Sequence, residues 1–160
     1  MLRDEVWKQL NNAERLFRYY YELSQYYDVR ERRLRGTILF SYIAGASAIF
    51  EVIPREATFV FAPLVIVATV WDMTMRYGEK AALLRVICTR CDRLLDQWKE
   101  LWVELEDEVI ENDSLWMKYR YLRDEETASS QLSILFGIKK HERISEEAEE
   151  EAYSYTEKSY

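Results

Sequence analysis

The chain has little turn material, holding 4 Gly and 2 Pro in 160 residues. That scarcity excludes a loop-rich or hairpin-rich all-β fold and points to long helices. Cysteine is nearly absent as well. Only Cys88 and Cys91 occur, and His141 is the sole histidine. A disulfide scaffold is thereby excluded. The C-x-x-C spacing admits a redox pair or half of a zinc site, but zinc takes four ligands and the flanking pattern is helical. Both cysteines are read as small helix hydrophobes. No glycine-rich phosphate loop, nucleophile elbow or histidine at ligand spacing is present. No catalytic, cofactor-binding or metal-binding residue is assigned, and the chain is not expected to be an enzyme.

Charge of one sign is short at the end of the chain. Residues 1–99 carry 15 Lys+Arg against 12 Asp+Glu, whereas residues 100–160 carry 7 against 17. An acidic total argues against nucleic acid as the main partner, since phosphate neutralisation needs a clustered basic surface. No apolar run precedes Gly36, so any entry into a membrane is expected to be directed by the segments beyond it.

From Gly36 onward the chain holds a pair of charge-free apolar stretches, GTILFSYIAGASAIF from Gly36 to Phe50 and ATFVFAPLVIVATVW from Ala57 to Trp71. A turn, Pro54-Arg55-Glu56, divides them. Such a pair is either a transmembrane hairpin or the buried hairpin of a soluble bundle. Fifteen residues span only ~22 Å of helix against a hydrocarbon core of ~30 Å, which favours the soluble reading. Extension to 36–53 and 57–75 lengthens both segments. It places Glu51, Asp72 and Arg76 at the membrane boundary, where an ionised group costs far less than at the bilayer centre. Asp72 and Arg76 are then set for an i,i+4 pair.

Arginine placement favours the membrane. Arg30, Arg32, Arg33 and Arg35 precede the first stretch, Arg76, Lys80, Arg85 and Arg90 come after the second, and the connection holds Arg55 alone. The positive-inside rule puts both termini in the cytoplasm and the 54–56 turn outside. Aromatic residues near the segment edges, Phe40, Tyr42, Phe59, Trp71 and Tyr77, fit that placement. Small residues Ser41, Ala44, Gly45 and Ala48 form a stripe on the first segment that lets helix backbones approach closely. The stripe packs either against the second segment of its own chain or against neighbouring protomers. Pro63 is set to kink the second segment.

The helical pattern then continues. Leu84, Ile87, Cys91, Leu94, Trp98, Leu101 and Leu105 step by three and four, a heptad seam assigned to contacts between protomers. A second row, Cys88, Leu95, Trp102 and Val109, widens the stripe enough for a multi-helix bundle. The spacing predicts one continuous helix from about Phe59 to Glu111. Trp7, Leu10, Phe17, Tyr20, Leu23, Tyr27 and Leu34 predict a helix leading into the first segment. Tyr19, Tyr20, Tyr21, Tyr26 and Tyr27 are read as wedges of this stem, with an aromatic ligand pocket as the alternative. Asn112-Asp113-Ser114 supplies cap chemistry, a helix is predicted over Leu115–Glu126, and Ser145 opens a last one to about Lys158. The acidic face of that last helix is either solvated or docked on the basic N-terminal portion.

The fold class expected is all-α: a two-transmembrane hairpin continuing into a cytosolic helical stem, with short C-terminal helices. Its divisions are a cytosolic helix 1–35, membrane segment 36–53, external turn 54–56, membrane segment 57–75, cytosolic helix 76–111 and acidic C-terminal helices 112–160. The run RYYYELSQYYDVRERRLR, the two apolar segments and KAALLRVICTRCDRLLDQWKELW (Lys80–Trp102) together resemble the SLATT family, the SMODS- and SLOG-associating two-transmembrane effectors of bacterial defence systems. The likeness covers roughly residues 5–111. It implies a multi-pass inner-membrane protein that forms homo-oligomers and perturbs or permeabilises the bilayer, arresting an infected cell. It also implies a nucleotide-signalling partner protein or a cyclic nucleotide trigger. The competing expectations are a passive membrane scaffold that recruits a cytosolic partner and a soluble all-helical dimer.

Overall fold

A computed structural model of the chain describes residues 2–49, 58–106 and 112–159, without the side chains of 45–49, 58–62, 112 and 159. Among the described residues every regular element is helical: α1 (Leu2–Ile49), α2 (Thr58–Met75), α3 (Tyr77–Glu106), α4 (Asn112–Leu135) and α5 (Glu142–Ser159). The chain divides into two compact units. One holds residues 1–24 and 82–160, the other residues 25–81.

In the first unit, α1 presents Val6, Leu10, Ala13, Tyr20 and Leu23 at helical spacing, all buried. Val6, Leu10 and Ala13 meet Leu94, Leu95, Trp98, Leu101 and Trp102 of α3 and Leu115, Tyr119 and Leu122 of α4 in one hydrophobic core. Trp98, fully buried, meets Tyr119 edge-on at 5.6 Å between ring centroids. Trp7 meets Trp102 at 5.2 Å. Such tilted and edge contacts suit the aromatic quadrupole and add to plain burial.

α5 closes this unit. Its Ile144, Ala148, Ala152 and Thr156 recur every fourth residue and are buried, so a narrow ridge, small after Ile144, faces inward. Acid at its start (Glu142) and Lys158 near its end complement the helix dipole. The acidic surface beside the ridge is docked on α1: Arg18 pairs with Glu151 at 2.8 Å and Arg15 with Glu149 at 3.8 Å.

The second unit comprises the later part of α1, α2 and the first turn of α3. α1 runs unbroken through Gly36, for residues 2–49 contain no proline. α2 likewise continues through Pro63.

Three expected boundaries are corrected. The continuous helix over 59–111 is interrupted at Arg76, whose φ of 49° lies in the left-handed region. The interruption is short. Arg76 N–H still donates to Asp72 O (3.0 Å), and Lys80 N–H donates to Arg76 O (3.1 Å). Where α3 begins, a Cβ on Gly78 would lie 2.6 Å from Glu31 Oε1, the movable end of a side chain, so a larger residue there would displace the Glu31 carboxylate. α4 outruns its expected end at Glu126 and stops at Leu135 in a Schellman motif. Gly137 adopts φ 63°, Ile138 N–H donates to Ser133 O (3.0 Å) and Gly137 N–H to Ile134 O (2.9 Å). α5 starts at Glu142, ahead of the expected Ser145 cap; Ser145 N–H already donates to His141 O at 3.0 Å. Ser114 lies inside the first turn of α4, and Val109 falls outside the described residues.

Candidate functional site

The second unit inverts the usual burial pattern. Of the described side chains in 36–44 and 63–75, only Ser41, Ala44 and Ala68 are buried. The large ones point outward: Phe40 and Ile43 on α1, and Ile66, Val67, Val70, Trp71 and Met73 on α2, are 50–74% exposed. Small residues thus sit inside and large apolar residues outside, the reverse of an amphipathic helix packed on a core.

Ser41 and Ala44 of the small stripe are thus covered within the chain, and Ser41 Oγ has no hydrogen-bond partner among the described residues. The side chains of Gly45 and Ala48, the boundary residue Glu51 and the 54–56 turn lie outside the described residues. Of the other boundary groups, Asp72 is half-buried. Arg76 does not form the expected ion pair with Asp72; its Nη1 pairs with Glu79 at 3.2 Å. The left-handed backbone at Arg76 takes its side chain off the i,i+4 track.

The heptad seam faces the interior of its own chain. Leu84, Ile87, Cys91, Leu94, Trp98 and Leu101 are buried inside the single chain, and Leu105 packs partly against the same core. Leu94, Trp98 and Leu101 of the seam meet Leu115, Tyr119 and Leu122 of α4 in the core of the first unit. Cys88 and Cys91 are both free. Burial, then Cys88 and Glu126, push the Cys91 thiol up to about 12, so it stays protonated and acts as core.

The stem carries polar groups that the apolar pattern did not reveal. Glu126 is buried on α4 and accepts a hydrogen bond from Asn12 Nδ2, while Arg15 Nη2 donates to Asn12 Oδ1 at 2.7 Å. Burial raises the Glu126 carboxyl above its ordinary range, with Asn12 and Arg15 pulling the other way. Trp98 Nε1 and Glu126 Oε2 are buried without a hydrogen-bond partner among the described residues. Glu14 is buried too, and Arg18 Nε donates to it at 2.8 Å. Burial alone would lower the Arg18 guanidinium; Glu14 and Glu151 outweigh it and hold it above the ordinary value. A signal was available for Glu126. It continues the row Leu115, Tyr119 and Leu122 at helical spacing.

Tyr20 is buried and its hydroxyl meets Ser133 Oγ at 3.1 Å, while Tyr19 Oη accepts from His141 N–H at 3.1 Å. These two tyrosines tie α1 to the end of α4 and the start of α5. A cleft of about 250 Å³ beside them is lined by both rings and by Arg15, Ile138 and Lys140. A larger groove of about 440 Å³ lies between α1 and α5, with Trp7 and Tyr153 as walls and Lys8, Arg15 and Glu149 at its rim. Among the described residues no acidic, cysteine or histidine cluster is set to hold a metal ion.

Among the described residues no helix is long and apolar enough to cross a membrane. The described side chains of the α2 apolar run, 63–75, give ~20 Å of helix. Compared with protein-family models, with curated proteins and with solved structures, the chain matches none.

Proposed function

We propose that the chain is a bacterial inner-membrane effector whose α1–α2 hairpin lies in lipid with both termini in the cytoplasm, and which acts by assembling and permeabilising the bilayer. The observation that carries this reading is the outward band of large apolar residues on α1 and α2, wrapped around buried Ser41, Ala44 and Ala68. The collar of Arg32, Arg33 and Arg35, all exposed, supplies the cytosolic boundary on α1, and Arg76, with Lys80 half-buried nearby, supplies it after α2. With the heptad seam used inside the chain, protomers would meet through the outward hairpin face. The likeness to SLATT effectors supports assembly as the output, with a nucleotide signal or partner as trigger.

The test is induction in cells carrying a potential-sensitive dye, together with alkaline extraction of the membrane fraction. The chain should stay with the membrane and collapse the potential. Release by alkali, or an unchanged potential at high expression, would overturn the reading. A second reading rests on the short described apolar run of α2: a helical dimer burying the same band between two copies. It predicts a water-soluble dimer that needs no amphiphile.

A further inference from the structure

The corner between α4 and α5 carries an apolar protrusion that the core does not use. Ile134 and Leu135 are 76% and 77% exposed, and Phe136 is 54% exposed. The cause is local. The Schellman motif at Gly137 ends α4 beyond Ser129, the last buried residue of that helix, so Ser133 still reaches Tyr20 while Ile134 and Leu135 face outward. The same corner has an unusual charge. From Thr127 to His141 the sequence contains no acid, although residues 100–160 hold 17. Lys139 and Lys140 stand near the end of that acid-free run, are exposed, and form no ion pair among the described residues. Arg90 lines a cleft with Leu132 and Leu135 on the α3 side.

We infer that this corner is an interfacial anchor for an anionic lipid surface, with Ile134, Leu135 and Phe136 entering the headgroup–acyl boundary and Lys139, Lys140 and Arg90 meeting lipid phosphates. Apolar tips with a basic fringe partition to such surfaces by adding buried apolar area to electrostatic attraction. A protein partner of ordinary composition would need no acid-free fringe. An acidic surface repels the acids of α5 and attracts the lysines of this corner, so the charge pattern favours this edge of the first unit over the α5 face. The anchor goes beyond the hairpin reading and does not require it.

The test places a nitroxide spin label at Leu135→Cys in a Cys88→Ala/Cys91→Ala full-length chain, reconstituted in vesicles of phosphatidylcholine alone or with one third phosphatidylglycerol. A second chain carries the label at Val67→Cys to report the hairpin. With phosphatidylglycerol, the label at 135 should collide with oxygen and be shielded from a water-soluble nickel chelate. Lys139→Gln with Lys140→Gln should shift the immersed-to-aqueous ratio toward water by about 25-fold, since each lysine near an anionic surface contributes about fivefold. A label at 135 open to the nickel chelate in both compositions overturns the anchor, whatever position 67 reports. A label shielded from oxygen and nickel alike marks a protein contact and overturns it too. A label at 67 open to nickel, with 135 immersed, sinks the hairpin and keeps the anchor. Should the cysteine-free chain lose helicity, hydrogen exchange in the unmodified chain serves instead. Amides 133–138 must then gain protection with phosphatidylglycerol and not with phosphatidylcholine alone; equal protection in both overturns the anchor.

Discussion

Arg18 is the best place to ask whether the acidic last helix is held by specific chemistry. Its guanidinium bridges Glu14 on its own helix and Glu151 on α5, each at 2.8 Å, and lies over the Tyr155 ring at 5.3 Å. The two carboxylates are not equivalent. The Glu14 side chain is 5% exposed and that of Glu151 is 55% exposed. An exposed pair contributes ~0.5 kcal/mol, and a half-exposed cation–π contact about the same. Removing one partner of a buried pair costs more, because the other is left charged and dry. The range is about 3–5 kcal/mol, and the low end applies here because the Arg18 side chain keeps 26% exposure.

Arg18→Met retains the apolar stem and removes the charge. It should destabilise by about 3 kcal/mol, whereas Glu151→Gln should cost ~0.5 kcal/mol. Glu14→Gln in the Arg18→Met background removes the orphaned carboxylate and should recover most of the loss, giving a coupling of about 2 kcal/mol or more. Urea unfolding in mild detergent, tracked by helical circular dichroism, reads the global cost. Hydrogen exchange of α5 amides reads whether that helix loosens first. Equal small losses for Arg18→Met and Glu151→Gln, with no coupling to Glu14, would refute the assignment of α5 docking to this bridge.

Glu126→Gln tests the buried carboxyl on α4. Because burial raises its folded pKa, the stability this group allows is fully present below the ordinary glutamate value of 4.5 and is lost as pH rises through the folded value. The wild-type urea midpoint should therefore fall more steeply with pH than the variant's, and identical slopes would count against a strained carboxylate. Glu22, also raised by burial and by Glu151 and Glu147, adds a background slope of the same sign that cancels in the comparison. Gly137→Ala puts a Cβ on a residue at φ 63° and should cost about 1 kcal/mol, lowering the thermal midpoint. An unchanged midpoint would mean that the turn relaxes without the left-handed conformation.

Much of the first unit could be read from spacing. The 3/4 steps through Leu84, Ile87, Leu94, Trp98 and Leu101 report an apolar face correctly, and the second row with Leu95 and Trp102 reports its width. Spacing does not say who covers a face. The covering elements are α1 and the unexpectedly long α4, whose second half (Thr127 to Ser133) is too polar to announce itself as a helix. Its packing rests on buried Ser129 and the Tyr20–Ser133 contact, which are polar choices made by tertiary packing. The break at Arg76 was illegible for a different reason. Left-handed backbone is ordinarily signalled by Gly or Asn, and here arginine occupies it while glycine stands two residues later, beside Glu31. In the hairpin, Ser41 and Ala44 were legible as a packing stripe. Their cover within the same chain was one of two arrangements that small residues allow.

The two units answer the same physical demand in opposite ways. The first encloses Trp98, Leu10, Leu23 and Leu101 and leaves most of its acids and bases outside, as a chain folding in water must. The second encloses a serine and two alanines over its described hairpin residues and turns Phe40, Ile43, Ile66, Val67, Val70, Trp71 and Met73 outward. Seven such side chains leave on the order of 700 Å² of apolar surface uncovered, worth ~15–20 kcal/mol at about 25 cal/mol per Å². That exceeds the whole stability of an ordinary domain, about 5–15 kcal/mol. A surface of this kind calls for cover. Protein cover would reward knobs and holes between copies. Lipid cover removes the hydrophobic drive between helices and leaves close backbone approach as the main attraction, which is where small residues help most. Placement of the small residues inside and the large ones outside therefore weighs toward lipid, and the exposed Arg32, Arg33 and Arg35 ahead of the band weigh the same way.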